Sequence, residues 1–337
     1  MAREIKLNDG STVTLNDAID ALMKQDVRLK DSDGLFFMRQ LEAIETQTYD
    51  VLYPDLEARS VFKTNSFGGA GVTTLTYRSY DRIGKAQVIN ARATDLPKSD
   101  ISGKEYSITV KSVGTAYDFD IDELASAQMS GMPLEARRAM ASRRGYEEFI
   151  NDAVWYGDTE GHFVGFFKHP DIAHNIVADG AAGAGKTNWE DKTPDEILAD
   201  LNGACGAMYA ATKKIHRPQC LLLPVLKWNY IRSTPRSSLS DTTILQYFLN
   251  NSEFITDKSQ VMELNAIEGQ GDGGTECFVV MCDKTPEGAE TIRIREPLPL
   301  QYMPVQLHGL VYEISGRGRF AGLEVTYPRA IDIWYGI

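Results

Sequence analysis

The sequence predicts an α+β fold from which one long β-hairpin extends. Two alternating, strand-like segments between residues 72 and 111 are separated by turn residues and offer little apolar surface. One long helix is predicted over residues 133–156, and residues 194–300 alternate helical with strand-like segments. Strand-like segments then continue to residue 337. A length of 337 residues suits one elaborated domain or two modest ones.

The composition is that of a folded, soluble protein, with 43% hydrophobic and 24% charged residues. No run of 18 apolar residues occurs and the N-terminus lacks an apolar signal core, so we expect neither a membrane span nor a secretory leader. A net charge of −12 argues against a surface that grips nucleic acid. Cys205, Cys220, Cys277 and Cys282 form no C-x-x-C pair, which predicts reduced thiols in the cytoplasm.

Residues 1–60 predict an acidic arm with helical pieces. Asn16 is placed to cap one helical segment, and a second apolar-periodic segment over residues 35–53 ends at Pro54. The arm carries seven basic and twelve acidic residues.

The hairpin over residues 72–111 is basic, with seven basic and four acidic residues. A two-stranded ribbon is marginal alone in water, so it needs another surface. Either it packs on its own domain or it docks on an acidic neighbour, such as another copy of the chain. The candidate contact residues on it are Arg78, Arg82, Lys85 and Arg92.

The long helix is predicted to begin at Pro133, to run to about Tyr156 and to end at Gly157. A capping box of Asp120 and Glu123 predicts a shorter helix before it. The long helix carries apolar positions from Met132 to Val154. Its charged face is predicted to be solvated or to contact another subunit, and consists of Arg137, Arg138, Arg143, Arg144, Glu147 and Glu148. The spacing of four predicts the ion pairs Arg143–Glu147 and Arg144–Glu148.

After Pro194, the sequence predicts a helix over residues 194–214, a buried strand "QCLLLPVL", a helix near "TTILQYFLNN" and strands "VMELNAI" and "ECFVVMCD". The tail is strand-rich: "TIRIREP", "VQLHGLVYEISGR" and "GLEVTYPRAIDIWYGI".

The stretch GAAGAGKT matches the pattern of a phosphate-binding P-loop, with Gly180, Gly185, Lys186 and Thr187 at its defining positions. A P-loop needs a strand before it and a helix that starts at its Lys-Thr. Here the preceding strand is short, and a Thr193 cap with Pro194 delays the helix. The flanks therefore favour a flexible connection over a nucleotide site.

The search for catalytic and metal-binding groups is negative. The five histidines show no metal-ligand spacing, and no nucleophile motif occurs. We therefore expect no catalytic residues, no metal and no cofactor, and a binding or structural role rather than an enzyme.

The order of these parts and the wording of many segments resemble the tailed-phage major capsid proteins of the Hong Kong 97-like fold. The resemblance covers residues 35–337. The segments that carry it include "FFMRQLEAIETQTYDVLYPDLEARSVF", "TYRSYDRIGKAQVINARATDLPKSD", "AYDFDIDELASAQMSGMPLEARRAMASRRGYEEFINDAVWYGD", "WEDKTPDEILADLN", "SDTTILQYFLNN" and "GLEVTYPRAIDIWYGI".

The resemblance implies an N-terminal arm (1–60), an extended loop with flanking strands that overlaps a neighbour (61–115), a peripheral domain (116–189) with a spine helix (133–156), an axial domain (190–300) and strands that return to the peripheral domain (301–337). It implies a structural subunit that self-assembles as hexamers and pentamers into an icosahedral virion capsid around double-stranded DNA, built in the cytoplasm of a bacterial host.

The same resemblance implies a separate scaffolding protein, a portal and in some members a decoration protein, and it implies no membrane. Some members crosslink a lysine to a neighbour's asparagine, for which Lys85 is the one lysine we nominate. The alternatives are an encapsulin-like nanocompartment shell that packages an enzyme and, more distantly, a P-loop nucleotide-binding protein that uses Gly180–Thr187.

Overall fold

The computed structural model describes residues 4–6, 12–14, 53–84, 86, 88, 98–130, 134–237, 239 and 241–337. The chain divides into two units, Met1–Pro54 and Asp55–Ile337. In the first unit, β1 (Glu4–Lys6) pairs antiparallel with β2 (Thr12–Thr14). The helical piece expected around Asn16 lies outside the described residues, as do all but the last residue of the one expected over residues 35–53, residues 89–97 of the predicted hairpin, and the predicted helix start at Pro133.

The second unit contains all the other elements that the structure describes. Its helices are α1 (Ala58–Val61), α2 (Ile121–Ser130), α3 (Leu134–Trp155), α4 (Pro194–Ala211), α5 (Val225–Ser233) and α6 (Ile244–Asn251). Its strands are β3 (Thr64–Asn65), β4 (Thr74–Ile83), β5 (Asp100–Thr109), β6 (Lys111–Asp120), β7 (Gly157–Asp158), β8 (Phe163–Val164), β9 (Ala173–Ile176), β10 (Cys220–Pro224), β11 (Val261–Leu264), β12 (Cys277–Met281), β13 (Ile292–Arg295), β14 (Leu298–Tyr302), β15 (Gln306–His308), β16 (Val311–Phe320), β17 (Gly322–Val325) and β18 (Ile331–Tyr335).

A five-stranded sheet in the order β11-β10-β12-β18-β9 separates two hydrophobic cores. All five residues of β12 are buried. Because side chains alternate along a strand, Val279 enters one core while Phe278 and Val280 enter the other. Helices α4, α5 and α6 contribute to the second core, and the C-terminal half of α3 contributes to the first.

A long antiparallel ladder forms the second large sheet. Strands β6 and β16 pair over ten residues each, from Lys111↔Phe320 to Asp120↔Val311. β14 and β15 pair with the other edge of β16. The sequence predicts one strand over residues 104–113, whereas the structure divides this region between β5 and β6, because β6 has a separate partner more than 190 residues later in the chain.

The spine-like helix α3 packs on this ladder. Its buried positions, Tyr146, Ile150 and Val154, recur at helical spacing, whereas Met140, which the sequence assigns to the apolar face, is 70% exposed. Gly318 permits the contact: a Cβ there would lie 2.2 Å from the Tyr146 hydroxyl. Gly157 ends α3 with a φ of 81°, as its position predicts.

The remaining predicted elements are present with local differences. The Thr193–Glu196 capping box starts α4 at Pro194, and Thr243 caps α6. The buried strand over "QCLLLPVL" ends at Pro224, and α5, which the sequence does not predict, begins at Val225. Proline has no amide hydrogen, which makes it suitable before a helix but poor within a central strand.

The strands of residues 301–337 go to different sheets. β16 lies between β6 and β15, β17 pairs with β13, and β18 lies between β12 and β9 in the five-stranded sheet. The assignment of axial and peripheral domains to these ranges stays a prediction. Among the described helices, none is long and apolar enough to cross a membrane.

The burial of Asp332 in the five-stranded sheet predicts that the free energy of unfolding depends on pH. Asp332 is 7% exposed, and desolvation raises its pKa from 3.8 to about 6. The folded state then holds this proton more tightly than the unfolded state, so the free energy of unfolding falls as the pH rises from about 4 to 6. We expect Asp332→Asn to stabilise the subunit at pH 7 by up to about 2 kcal/mol.

The measurement is urea unfolding of the unassembled subunit at pH 4, 5, 6 and 7. The control variant, Glu287→Gln, changes an exposed carboxylate in a turn and is expected to leave the pH profile unchanged. An Asp332→Asn profile that follows the wild-type slope between pH 4 and 6 would contradict the assignment.

Candidate intersubunit surfaces

The hairpin β4–β5 leaves the body of the protein at a small apolar cluster. Leu75, Val110 and Ala321 are buried there. The two strands pair without a break from Thr74↔Thr109 to Ile83↔Asp100, and most side chains beyond Leu75 are exposed. The structure therefore anchors the hairpin at its base and exposes it along its length.

The exposed part of the hairpin carries aromatic and aliphatic side chains. Tyr77 and Tyr106 stack with ring centroids 5.0 Å apart. Tyr80 and Ile101 are each 65% exposed. Such a ribbon buries too little of its own surface to be stable alone, which indicates that another surface covers it.

The predicted contact residues on the hairpin are only partly described. The Arg78 guanidinium donates to the Glu105 carboxylate across the two strands at 2.6 Å. The backbone of Arg82 lies in β4, but its side chain is outside the described part. Lys85 and Arg92 lie outside the described residues.

Two arginines form hydrogen bonds to the segment that leads into the hairpin. Arg319 on β16 donates to the carbonyl oxygens of Ala70 and Val72, each at 2.6 Å. Arg295 on β13 donates to the side chain of Asn65 at 2.8 Å and pairs with the buried Glu324. No local pattern in the sequence marks these residues, because each binds a partner far away in the chain.

A cleft of about 1180 Å³ separates the hairpin from the body. Tyr77 and Tyr106 line its hairpin side, and His162, His169 and His216 line the body side. Burial lowers the pKa of His169 and of His216, so both rings favour the neutral form. The cleft thus separates part of the hairpin from its own domain.

The charged face of α3 lies on the protein surface. Arg144 pairs with Glu148 at 2.7 Å, which confirms the predicted i,i+4 pair. Arg138 pairs with Glu123 on α2 at 2.5 Å. Arg137 and Arg143 are exposed on the same helix.

Glu147 differs from its neighbour and corrects the predicted Arg143–Glu147 pair. Its carboxylate accepts from Arg59 at 2.6 Å. Arg59 also donates to Glu296 at 2.9 Å, and Glu296 accepts from the Tyr146 hydroxyl at 2.9 Å. Glu147 therefore ties α1 to α3 within one subunit, and no local spacing in the sequence could reveal this pairing.

The P-loop-like stretch lies between β9 and α4. Its amides donate to carboxylates of the protein itself: Ala181 to Glu196 at 2.7 Å and Gly185 to Asp179 at 3.0 Å. Hydrogen bonds from the amides of Thr193 and Ala181 lower the pKa of Glu196, which keeps it anionic. The ammonium of Lys186 lies 3.2 Å from the Asp191 carboxylate. Lys186 precedes the start of α4 at Pro194 by eight residues.

The cysteines have the environment of inert thiols. All four are free, and burial raises the pKa of Cys205, Cys220 and Cys277 to about 12. A thiol with so high a pKa holds almost no thiolate at neutral pH. Within the described residues, no three histidine, cysteine or acidic side chains are placed to hold a metal ion.

Comparison with known families identifies the chain. The sequence profile described as "Major capsid protein" matches residues 84–337, about three quarters of the chain. The chain belongs to the major capsid protein family. A comparison with curated protein sequences gives no match.

Solved structures show that this capsid protein has the Hong Kong 97-like fold of phage capsid proteins. The capsid of Myoviridae phage XM1 is similar with a TM-score of 0.72 and 18% identity, over 89% of this chain and 98% of the other. The structure from Mycobacterium phage Ogopogo has a TM-score of 0.55 and 12% identity, over 91% of this chain and 99% of the other. The capsid of the native GTA particle has a TM-score of 0.55 and 12% identity, over 94% of this chain and 98% of the other.

The two neighbouring glutamates of this capsid protein provide a matched test. We expect Glu147→Gln to lower the free energy of unfolding by about 1–2 kcal/mol, because it weakens a part-buried bond to Arg59. Glu148→Gln removes only a surface i,i+4 pair and should cost less than about 0.5 kcal/mol. Chemical unfolding of the unassembled subunits measures both, and equal losses would contradict the distinction.

Proposed function

We propose that this chain is the structural subunit of an icosahedral head, which self-assembles through hexamers and pentamers and encloses the double-stranded DNA of a tailed phage or prophage. The observation that carries the proposal is the family match over residues 84–337. The structure of the hairpin supports it, since an exposed, anchored ribbon with apolar side chains needs a partner surface. Family membership also supports a structural role rather than an enzymatic one.

The parts of the subunit take the following roles in this proposal. Residues 61–115 form the extended loop over a neighbour, and α3 is the spine of the peripheral domain. Much of the range 190–300 forms the axial domain, whose tips meet at the fivefold and sixfold centres. Residues 1–60 form the arm. The ten-residue pairing of β6 with β16 is consistent with a rigid platform for the spine helix. The small apolar cluster at the base of the hairpin is consistent with an extension that adapts to its neighbour.

The intersubunit contacts are proposed to lie on the hairpin and on the exposed face of α3. The hairpin contributes Arg78, Arg82, Lys85 and Arg92, and the helix contributes Arg137, Arg138, Arg143, Arg144 and Glu148. Glu147 is not included, because its carboxylate is part-buried and joins α1 to α3 within the subunit. Contacts that are weak singly become strong when a closed shell repeats them by symmetry.

The DNA and the other assembly partners are proposed by the same reasoning. A subunit with a net charge of −12 can surround DNA without holding it tightly. A separate scaffolding protein, a portal and in some circumstances a decoration protein would act during assembly in the bacterial cytoplasm. The alternative, a nanocompartment shell around an enzyme, is distinguished by the contents of purified particles: DNA or a cargo protein.

Truncation of the hairpin tests the assembly proposal. Thr76 and Ser107 are directly paired, so a two-residue Asn-Gly turn can replace residues 77–106 without disturbing the base. We expect the shortened chain to keep its fold, with circular dichroism and melting temperature close to wild type. Electron microscopy should show closed shells for wild type, with scaffolding protein supplied if needed, and none for the shortened chain. Shells of normal yield from the shortened chain would contradict the role of the hairpin.

The P-loop-like stretch is proposed to be a connection between elements and not a nucleotide site. Its amides already bind Glu196 and Asp179, so a phosphate would have to displace two carboxylates. We expect wild type to bind no ATP or GTP at millimolar concentration with magnesium, by calorimetry. Lys186→Ala should leave the yield of shells unchanged. Nucleotide binding that disappears in Lys186→Ala would restore the nucleotide-site interpretation.

A further inference from the structure

The ladder between β6 and β16 divides at one end into two diverging strands. The last pair of the ladder is Lys111↔Phe320. On one side of this pair the chain belongs to β5, which pairs with β4, and on the other side it belongs to β17, which pairs with β13. The cleft of about 1180 Å³ lies between these two strands, since residues 106–109 and 321–326 both line it. We call this divergence, from residues 106–109 to residues 322–326, the fork.

A β-bulge turns β17 away from β5. Gly322 pairs with Arg295, and the amide of Ala321 also donates to the Arg295 carbonyl at 2.8 Å, so two residues lie opposite one. Gly322 has a φ of 88°, which glycine adopts without strain. A bulge bends its strand and advances the pairing by one residue. The fork therefore follows from the backbone at Gly322.

The edge of β17 that faces away from β13 is buried and unpaired. The Thr326 amide donates to the Thr291 carbonyl at 2.8 Å, so Glu324 also bonds to β13, and Leu323 and Val325 present their backbone groups to the other edge. Neither of these two residues has a backbone partner on that edge within the described part of the chain. They are only 8% and 6% exposed. Unpaired backbone groups with little access to water are unfavourable, so this edge favours a partner strand.

The free edge of β5 lies on the same side as β16. Odd-numbered residues of β6 bond to β16, as the Ile121 amide shows by donating to the Leu310 carbonyl at 3.1 Å. Even-numbered residues bond to the other side of the hairpin, as the Val110 amide shows by donating to the Thr73 carbonyl at 2.9 Å. The odd-numbered residues of β5 therefore present their backbone groups toward the fork.

The two free edges are in register with each other. From the pair Lys111↔Phe320, a regular ladder with the one-residue bulge at Gly322 continues as Thr109↔Leu323 and Ser107↔Val325. In both pairs the two residues belong to the unpaired edges. The register thus identifies β5 as the strand that fits the free edge of β17.

We propose that the fork closes, so that the hairpin moves toward the body and β5 pairs with β17 through Thr109↔Leu323 and Ser107↔Val325. The described structure is the open form. Closure gives the buried backbone groups of Leu323 and Val325 their partners, and it extends the ten-residue ladder without a second chain. The closed form holds the hairpin against its own subunit, and a neighbouring copy must open it. The effect on assembly rests on the proposed function.

A disulfide between the two strands tests closure in the unassembled subunit. Tyr106 and Thr326 both line the cleft, and the same register makes them a directly opposed pair without hydrogen bonds, with Cα atoms about 4.5 Å apart. We expect Tyr106→Cys with Thr326→Cys to form an intramolecular disulfide on mild oxidation, measured by intact mass and thiol count. The matched control is Ile101→Cys with Thr326→Cys, five residues or roughly 17 Å farther along the exposed strand. Its yield should be at least about tenfold lower, because a disulfide needs Cα atoms within about 7 Å.

A proline distinguishes the closed form from a chance approach of the two cysteines. Ser107 is exposed and its amide is free in the open form, so Ser107→Pro should leave the melting temperature close to wild type. The closed form uses this amide, so Ser107→Pro should lower the yield of the Tyr106–Thr326 crosslink about tenfold. An unchanged yield, equal yields in the two cysteine pairs, or no crosslink at all would overturn the proposal.

The crosslinked subunit tests the effect of closure on assembly. The oxidised Tyr106→Cys, Thr326→Cys chain should give at least about tenfold fewer shells than wild type, and reduction should restore the yield to within about twofold. Restoration shows that the substitutions leave the fold intact. Oxidised subunits that assemble at wild-type yield would overturn the claim that closure opposes assembly. If wild type forms no shells, the proposed function fails, whereas the crosslink in unassembled subunits still decides whether the fork closes.

Discussion

The structure depends on one constraint: the strand β12 belongs to two hydrophobic cores at once. All five of its residues are buried, and they alternate between the core that contains Trp155 and the core that contains Trp189. A strand buried on both faces is stable only when elements cover both sides of its sheet. Helix α4 and the end of α3 must therefore be in place together, which couples the two halves of residues 55–337 into one unit.

Polar groups extend this coupling to the parts that leave the body. The buried Glu324 holds Arg293 and Arg295, and Arg295 in turn holds Asn65. Such a cluster is favourable only when its members are satisfied together, so it fixes the position of the chain before the hairpin. Within the described residues, this polar cluster is closed inside the subunit, whereas most side chains of the hairpin are exposed.

Most of the helices could be predicted because their signals are local. Thr193, Pro194 and Glu196 define the start of α4, and Gly157 defines the end of α3, with contacts that span only a few residues. The pairing of β6 with β16 could not be predicted, since its partners are separated by about 200 residues and alternate strands would satisfy the same pattern. The Arg59–Glu147 pair was missed for the same reason.

The sequence by itself determined the class of fold, the family, the long hairpin and the unsuitable flanks of the GAAGAGKT stretch. The family follows from the resemblance of many segments to known capsid proteins, and the other three depend on periodicity and on hydrogen bonds between residues close in the chain. Only the tertiary structure decided that Glu147 binds Arg59 of α1 while Glu148 pairs with Arg144 of its own helix, and that Met140 is exposed while Tyr146 on the same helix is buried. Whether a side chain is exposed depends on which distant elements pack over its face. The residues of that face alone do not show how far the packed region extends.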